Sequence, residues 1–144
     1  MRFIMTARPG ENSKPTDPDA PLNEKLFSDY MRFNEELHTA GVLVAAEGLN
    51  PAGRGARIEL KNGKRTVVDG PFTESKELVG GFYILDVPSL EAAIEWALRA
   101  PTGMGFDDVF EIRQLTGEED VPPQLLELVK KAAPTWSTTF TKSR

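Results

Sequence analysis

Three side chains in this sequence carry groups able to move a proton, and a single fold could bring them together. Glu47 interrupts the apolar run VLVAAEGL (42–49). A carboxylate buried in such a strand loses hydration, which raises its pKa toward neutrality and suits a general base. Asp69 closes the run RTVVDG (65–70) and is the second candidate acid. Tyr30 falls on the apolar stripe of a helix and adds a phenolic hydroxyl. Each has a plainer role open to it. Glu47 could end its strand in an ion pair with Arg57 or Lys76, and Asp69 could cap an Asx turn by accepting backbone N–H groups. Tyr30 could simply pack.

Asp69 lies within the stretch VVDGPFTESKELVGG (67–81), which must turn the chain between two strands. Asp-Gly after a strand is a turn signal, and Pro71 pushes Gly70 away from the helical region. Thr73 can cap a short helical turn with Glu74 and Glu77 near its positive end. Phe72 either plugs the core or borders a cleft with Phe33, Glu74 and Lys76. A charge run of this kind otherwise forms a solvated face. His38, the one histidine, falls in the last turn of a helix, where the helix dipole favours it at the surface.

The elements that must position these groups follow from periodicity. MRFIMTA (1–7) reads as a strand. Leu22, Leu26, Tyr30, Phe33 and Leu37 recur at helical spacing, with Phe27 and Met31 widening the stripe and Gly41 just past its end. A strand over 42–49 follows. ARIEL and RTVVDG flank KNGK, whose Asn-Gly pair predicts a tight hairpin. GGFYILDV (80–87) is a strand, and LEAAIEWAL (90–98) is a helix capped by Ser89, with Leu90, Ile94 and Ala97 as its stripe and Trp96 beside it. DDVFEIRQL (107–115) is the last strand, and QLLELVKKA is a C-terminal helix. The order is β-α-β, a hairpin, then β-α-β, which predicts a ferredoxin-like α+β sandwich. Both alternating positions of Phe82-Tyr83-Ile84-Leu85 are apolar, yet two helices cover one face of a four-stranded sheet. A homodimer with sheets packed face to face would cover the other.

Composition narrows the chemistry. The 144 residues, 40% hydrophobic and 27% charged, make one ordinary domain, and a net charge of −5 argues against binding the phosphate backbone of nucleic acid. With no cysteine there is no thiolate catalysis, and with one histidine no multi-histidine metal centre within a chain. Any metal site would use carboxylates and a hard cation. NPAGRG (50–55) has glycines but no G-K-[S/T], so a cofactor-free site is expected. No segment reads as a signal peptide or a membrane span, and a cytoplasmic protein is the simplest expectation.

DGPFTESKELVGGFYILDVPSLEAAIEWA (69–97) resembles the signature of the DGPF subgroup of YCII-related proteins, in the dimeric α/β-barrel fold group. FNEELHTAGVLVAAEGLNP (33–51) is similar to the matching helix and strand. The resemblance spans roughly residues 1 to 115 and implies the ferredoxin-like dimer. Some relatives are taken to use a His–Asp pair on small, often aromatic, molecules, with the histidine early in the first helix. The matching place here is near Tyr30, while His38 lies at the helix's end, so that pair does not carry over. The resemblance leaves three readings open. One is a cofactor-free enzyme of isomerase, lyase or dehydrohalogenase class, using Glu47, Asp69 and Tyr30. Another is a ligand-binding module, and the third is a protein-interaction module serving an extracytoplasmic-function sigma factor. The tail PTWSTTFTKSR is expected to dock by Trp136 and Phe140.

Overall fold

A computed structural model of the chain describes residues 1–10, 23–50, 54–69, 79–101 and 108–140, with Asp69 described by its backbone alone. Strand β1 (Arg2–Pro9) leads to helix α1 (Glu24–Thr39) and strand β2 (Leu43–Gly48). The hairpin strands β3 (Ala56–Lys61) and β4 (Lys64–Asp69) precede β5 (Gly81–Asp86), α2 (Leu90–Leu98) and β6 (Asp108–Gln114). Helices α3 (Pro123–Ala132) and α4 (Ser137–Phe140) complete the described chain. The four long-range strands form one antiparallel sheet in the order β2-β5-β1-β6, the ferredoxin-like arrangement, and among the described residues no closed barrel is formed.

Local chemistry sets the ends of the elements. The Asn23 side chain accepts from the Leu26 N–H at the start of α1. The helix stops where Gly41 takes φ +73°, a conformation that costs glycine nothing, and Val42 N–H donates back to the Leu37 carbonyl. Ser89 caps α2 by accepting from the Ala92 N–H. Asn62 and Gly63 both have positive φ, the signature of a type I′ turn joining β3 to β4. That hairpin is a separate two-stranded sheet, with Ile58 and Val67 paired on one of its faces and both largely exposed.

Strand pairing assigns the two faces of the main sheet. Phe3 opposes Leu85 and Met5 opposes Tyr83, so these four share one face. Phe33 and Leu37 from α1 and Ala93 from α2 complete the buried core on that side. Ile4, Phe82, Ile84 and, through the β2–β5 pairing, Ala45 share the opposite face. All four are half-buried in the single chain.

Three details depart from the periodicity. On α2 the core side is Ala93 with Ala92, Trp96 and Ala97, while Leu90, Ile94 and Leu98 are exposed. Small alanines let the helix approach closely, and Trp96 fills the edge with the Arg99 guanidinium 4.4 Å over its ring. On α1, Phe27 and Met31 are exposed, so the buried stripe narrows toward the helix start. In the tail, Trp136 stacks on Phe140 at 5.3 Å and stays 55% exposed, while Ser137 between them is buried. Side chains four apart on a helical turn meet each other before they meet the core.

Leu37 is wholly buried at the centre of the α1 contact. Leu37→Ala should lower unfolding stability by about 2–5 kcal/mol, the range for a leucine deleted from a close-packed core. Urea denaturation would measure it.

Candidate functional site

The helix-facing side of the sheet changes character along its strands. At one end it carries Phe3, Met5 and Leu85; at the other it carries Ala7, Ala46, Gly48 and Gly81. With almost no side-chain volume there, the first half of α1 stands off the sheet and leaves a cleft of about 470 Å³. That is within the range of small-molecule sites. Gly81 is required by close approach, since a Cβ there would lie 3.0 Å from the Glu47 carbonyl oxygen.

Tyr30, Met31 and Asn34 of α1 form the wall above this floor, and Tyr83 closes the inner end. The Tyr83 hydroxyl donates to Asn34 Oδ1 at 2.9 Å. Its ring meets Phe33 edge-on at 5.7 Å. Asp108, paired with Pro9 across β1 and β6, forms the lip. Burial raises the pKa of Tyr30, and the charge of Asp108 raises it further. Tyr83 is pushed up to about 12, first by burial and then by Tyr30. Both phenols are therefore held neutral, as hydrogen-bond donors, at ordinary pH.

Tyr30 thus lines the cleft, as does Glu47, but in different senses. Glu47 opposes Phe82, and alternation puts both on the sheet face away from the helices, with Ala46 and Gly48 facing inward. Glu47 is also exposed rather than buried in its strand, so the desolvation expected of it is not met within this chain. No described ion pair joins it to Arg57, which lies near Glu59 instead. Phe33 is a core residue behind Tyr83 and not part of the cleft lining. Phe72, Glu74 and Lys76 lie outside the described residues, as does the side chain of Asp69. His38 is exposed in the last turn of α1.

Sequence reasoning missed Tyr83, Asn34 and Asp108. Tyr83 read as one apolar position among four, and Asn34 as a polar helix residue. The available signal was the i, i+4 spacing of Tyr30 and Asn34, which places both on one helix face. A smaller hollow on the other side of α1 holds Asp29, Arg32, Glu36 and Arg99, whose charges already pair, with Arg99 to Glu36 at 2.6 Å. Among the described residues no group of three or more His, Asp or Glu could hold a metal ion, and no helix is long and apolar enough to cross a membrane.

Residues 1–118 match the family model described as the YCII-related domain. An uncharacterised protein of Rhizobium meliloti (strain 1021) is 30% identical over 93 residues, which cover 65% of this chain and 75% of that protein. Among solved structures, the 5-chloro-2-hydroxyhydroquinone dehydrochlorinase of Burkholderia phenoliruptrix AC1100, in complex with 2,5-dihydroxybenzoquinone, is similar at 14% identity and a TM-score of 0.40. The likeness covers 84% of this chain and all of that one.

The tyrosines give a direct readout, because the chain has two. Their absorbance at 295 nm should show no ionisation step at about pH 10, where free tyrosine titrates. Tyr30→Phe should leave one step, still well above that value. The unfolded chain ionises Tyr83 near its ordinary pKa of 10.0 and the folded chain near 12, so the unfolded state holds fewer protons between them. Stability is then unaffected by this group below about pH 10 and falls as pH rises toward 12. Tyr83→Phe should flatten that fall.

Proposed function

The chain belongs to the YCII-related domain family, and we propose that it binds a small organic molecule in the cleft between α1 and the sheet. The observation that carries this reading is the floor of Ala7, Ala46, Gly48 and Gly81 beneath a wall bearing Tyr30 and Asn34. A concave, mainly apolar site with a few convergent polar groups and desolvated phenols is the usual form of a ligand site. The chemistry such a set supports is proton transfer without a cofactor, as in an isomerisation or an elimination. Neutral Tyr30 would serve as the acid and Asp108 as the base. Glu47, on the other face, would act there only through a partner chain.

A homodimer completes the reading. Ile4, Ala45, Phe82 and Ile84 form an apolar patch on the face opposite α1 and α2, and a second copy of the same face is its economical cover. Glu47 lies beside that patch, where a second sheet would remove it from water.

Gly48 offers a clean test of the cleft. A Cβ at this position meets no atom within 4 Å, so a larger side chain can enter the cleft without straining the backbone. Gly48→Leu should keep its melting temperature and lose the thermal shift given by any compound found to stabilise the unaltered protein. Stabilisation that persists in Gly48→Leu would put the ligand elsewhere. Independently, Ile84→Glu should convert a dimer to a monomer by light scattering at micromolar concentration; a monomer before the substitution would end the dimer reading.

A further inference from the structure

The hydrogen bond from Tyr83 to Asn34 has a direction, and that direction decides what the cleft offers a ligand. A phenol has one O–H, and here it goes to Asn34 Oδ1. An asparagine side chain has one acceptor oxygen and an NH₂ with two donors. With the oxygen engaged by Tyr83, Nδ2 is the end left over, and among the described residues it meets no acceptor. The edge-on contact with Phe33 holds the Tyr83 ring, so the hydroxyl keeps this position. One turn earlier on α1, Tyr30 brings a second donor to the same wall.

Charge limits the ligand further. Asp108 sits at the lip of the cleft. Arg8 also borders the cleft, but its guanidinium is turned to Glu111 at 3.2 Å, on the sheet face away from α1. An anion entering the cleft would meet a carboxylate with no unpaired cation among the described lining residues to offset it. A neutral molecule with an acceptor oxygen meets two donors and an apolar floor.

We propose that the cleft holds a neutral carbonyl compound whose oxygen accepts from Asn34 Nδ2 and the Tyr30 hydroxyl. In this assignment Tyr83 is the positioning residue that turns the Asn34 amide toward the ligand. The assignment rests on the cleft being a small-molecule site, and it adds the class of ligand and the group that orients it. Both phenols stay protonated in the folded chain, which keeps the donors in place across the ordinary pH range.

Acetophenone, ethylbenzene and sodium benzoate test this, because they share a ring and differ in acceptor oxygen and charge. In a nitrogen-15 correlation spectrum, the Asn34 side-chain NH₂ signals are identified by their loss in Asn34→Leu. Acetophenone should shift these signals, with an initial titration slope about fivefold or more above that of ethylbenzene, the factor expected of one neutral hydrogen bond. Benzoate should bind more weakly than acetophenone. Tyr83→Phe should remove most of the preference for acetophenone over ethylbenzene, and Asn34→Leu, followed through the backbone amide signals of Gly48 and Gly81 in the cleft floor, should remove it independently of how well Tyr83→Phe folds. Equal slopes for acetophenone and ethylbenzene, or a preference unchanged in both variants, would overturn the assignment while leaving the cleft a binding site. Benzoate binding more tightly than acetophenone would overturn the neutral class. If no probe moves any cleft resonance, the assignment and the reading of the cleft fall together.

Discussion

The relation of α1 to the sheet depends on a gradient of side-chain volume along the strands beneath it. Where the sheet offers Phe3, Met5 and Leu85, the helix seats Phe33 and Leu37 against them and water is excluded. Two residues further along β1 and four further back along β5, the same face offers Ala7 and Gly81. Close packing cannot continue there, because a helix backbone cannot follow a floor that drops by the length of a phenylalanine. The core and the cleft are therefore one packing arrangement read at its two ends. The large residues anchor the helix, and the small ones leave it overhanging.

The overhang is what gives the polar groups their character. Tyr30, Asn34 and Tyr83 sit at the boundary between excluded and admitted water, so each is partly desolvated yet reachable. Neutral phenols suffer little from this, whereas a charged group would need a partner. The site accordingly keeps its carboxylate, Asp108, at the lip and its hydroxyls inside. The Tyr83–Asn34 hydrogen bond also satisfies a polar pair that would otherwise lie against the aromatic ring of Phe33.

Much of this architecture was legible from the residues. Periodicity located α1, α2 and the four sheet strands to within a residue or two, the Asn-Gly pair specified the hairpin turn, and Ser89 was readable as a cap. Family membership was legible in the DGPF stretch, although that corner itself lies outside the described residues. The departures share a physical origin. The apolarity of its neighbours suggests a buried Glu47, but in a strand the decisive quantity is parity, which places it on the face away from the helices, exposed in the single chain. On α2, hydrophobicity pointed to Leu90 and Ile94, while the fold selected alanines for their size. Asn34 and Tyr83 could not be foreseen as a pair, since 49 residues separate them and only the β5 register brings them together.

The central position of β1 has a consequence for how the chain acquires its structure. β1 bonds to β5 on one side and to β6 on the other, so both of its partners are made long after it. During synthesis, at about 5–20 residues per second, the first strand must wait several seconds with both edges unpaired. Its earliest available neighbour is α1, whose Phe33 and Leu37 share one buried cluster with Phe3 and Met5. A transient strand–helix unit of that kind would shelter the apolar face but leave the backbone edges open. Folding of this domain is then governed by late, long-range closure, and the interval before β6 arrives is when the nascent chain is most exposed to mispairing.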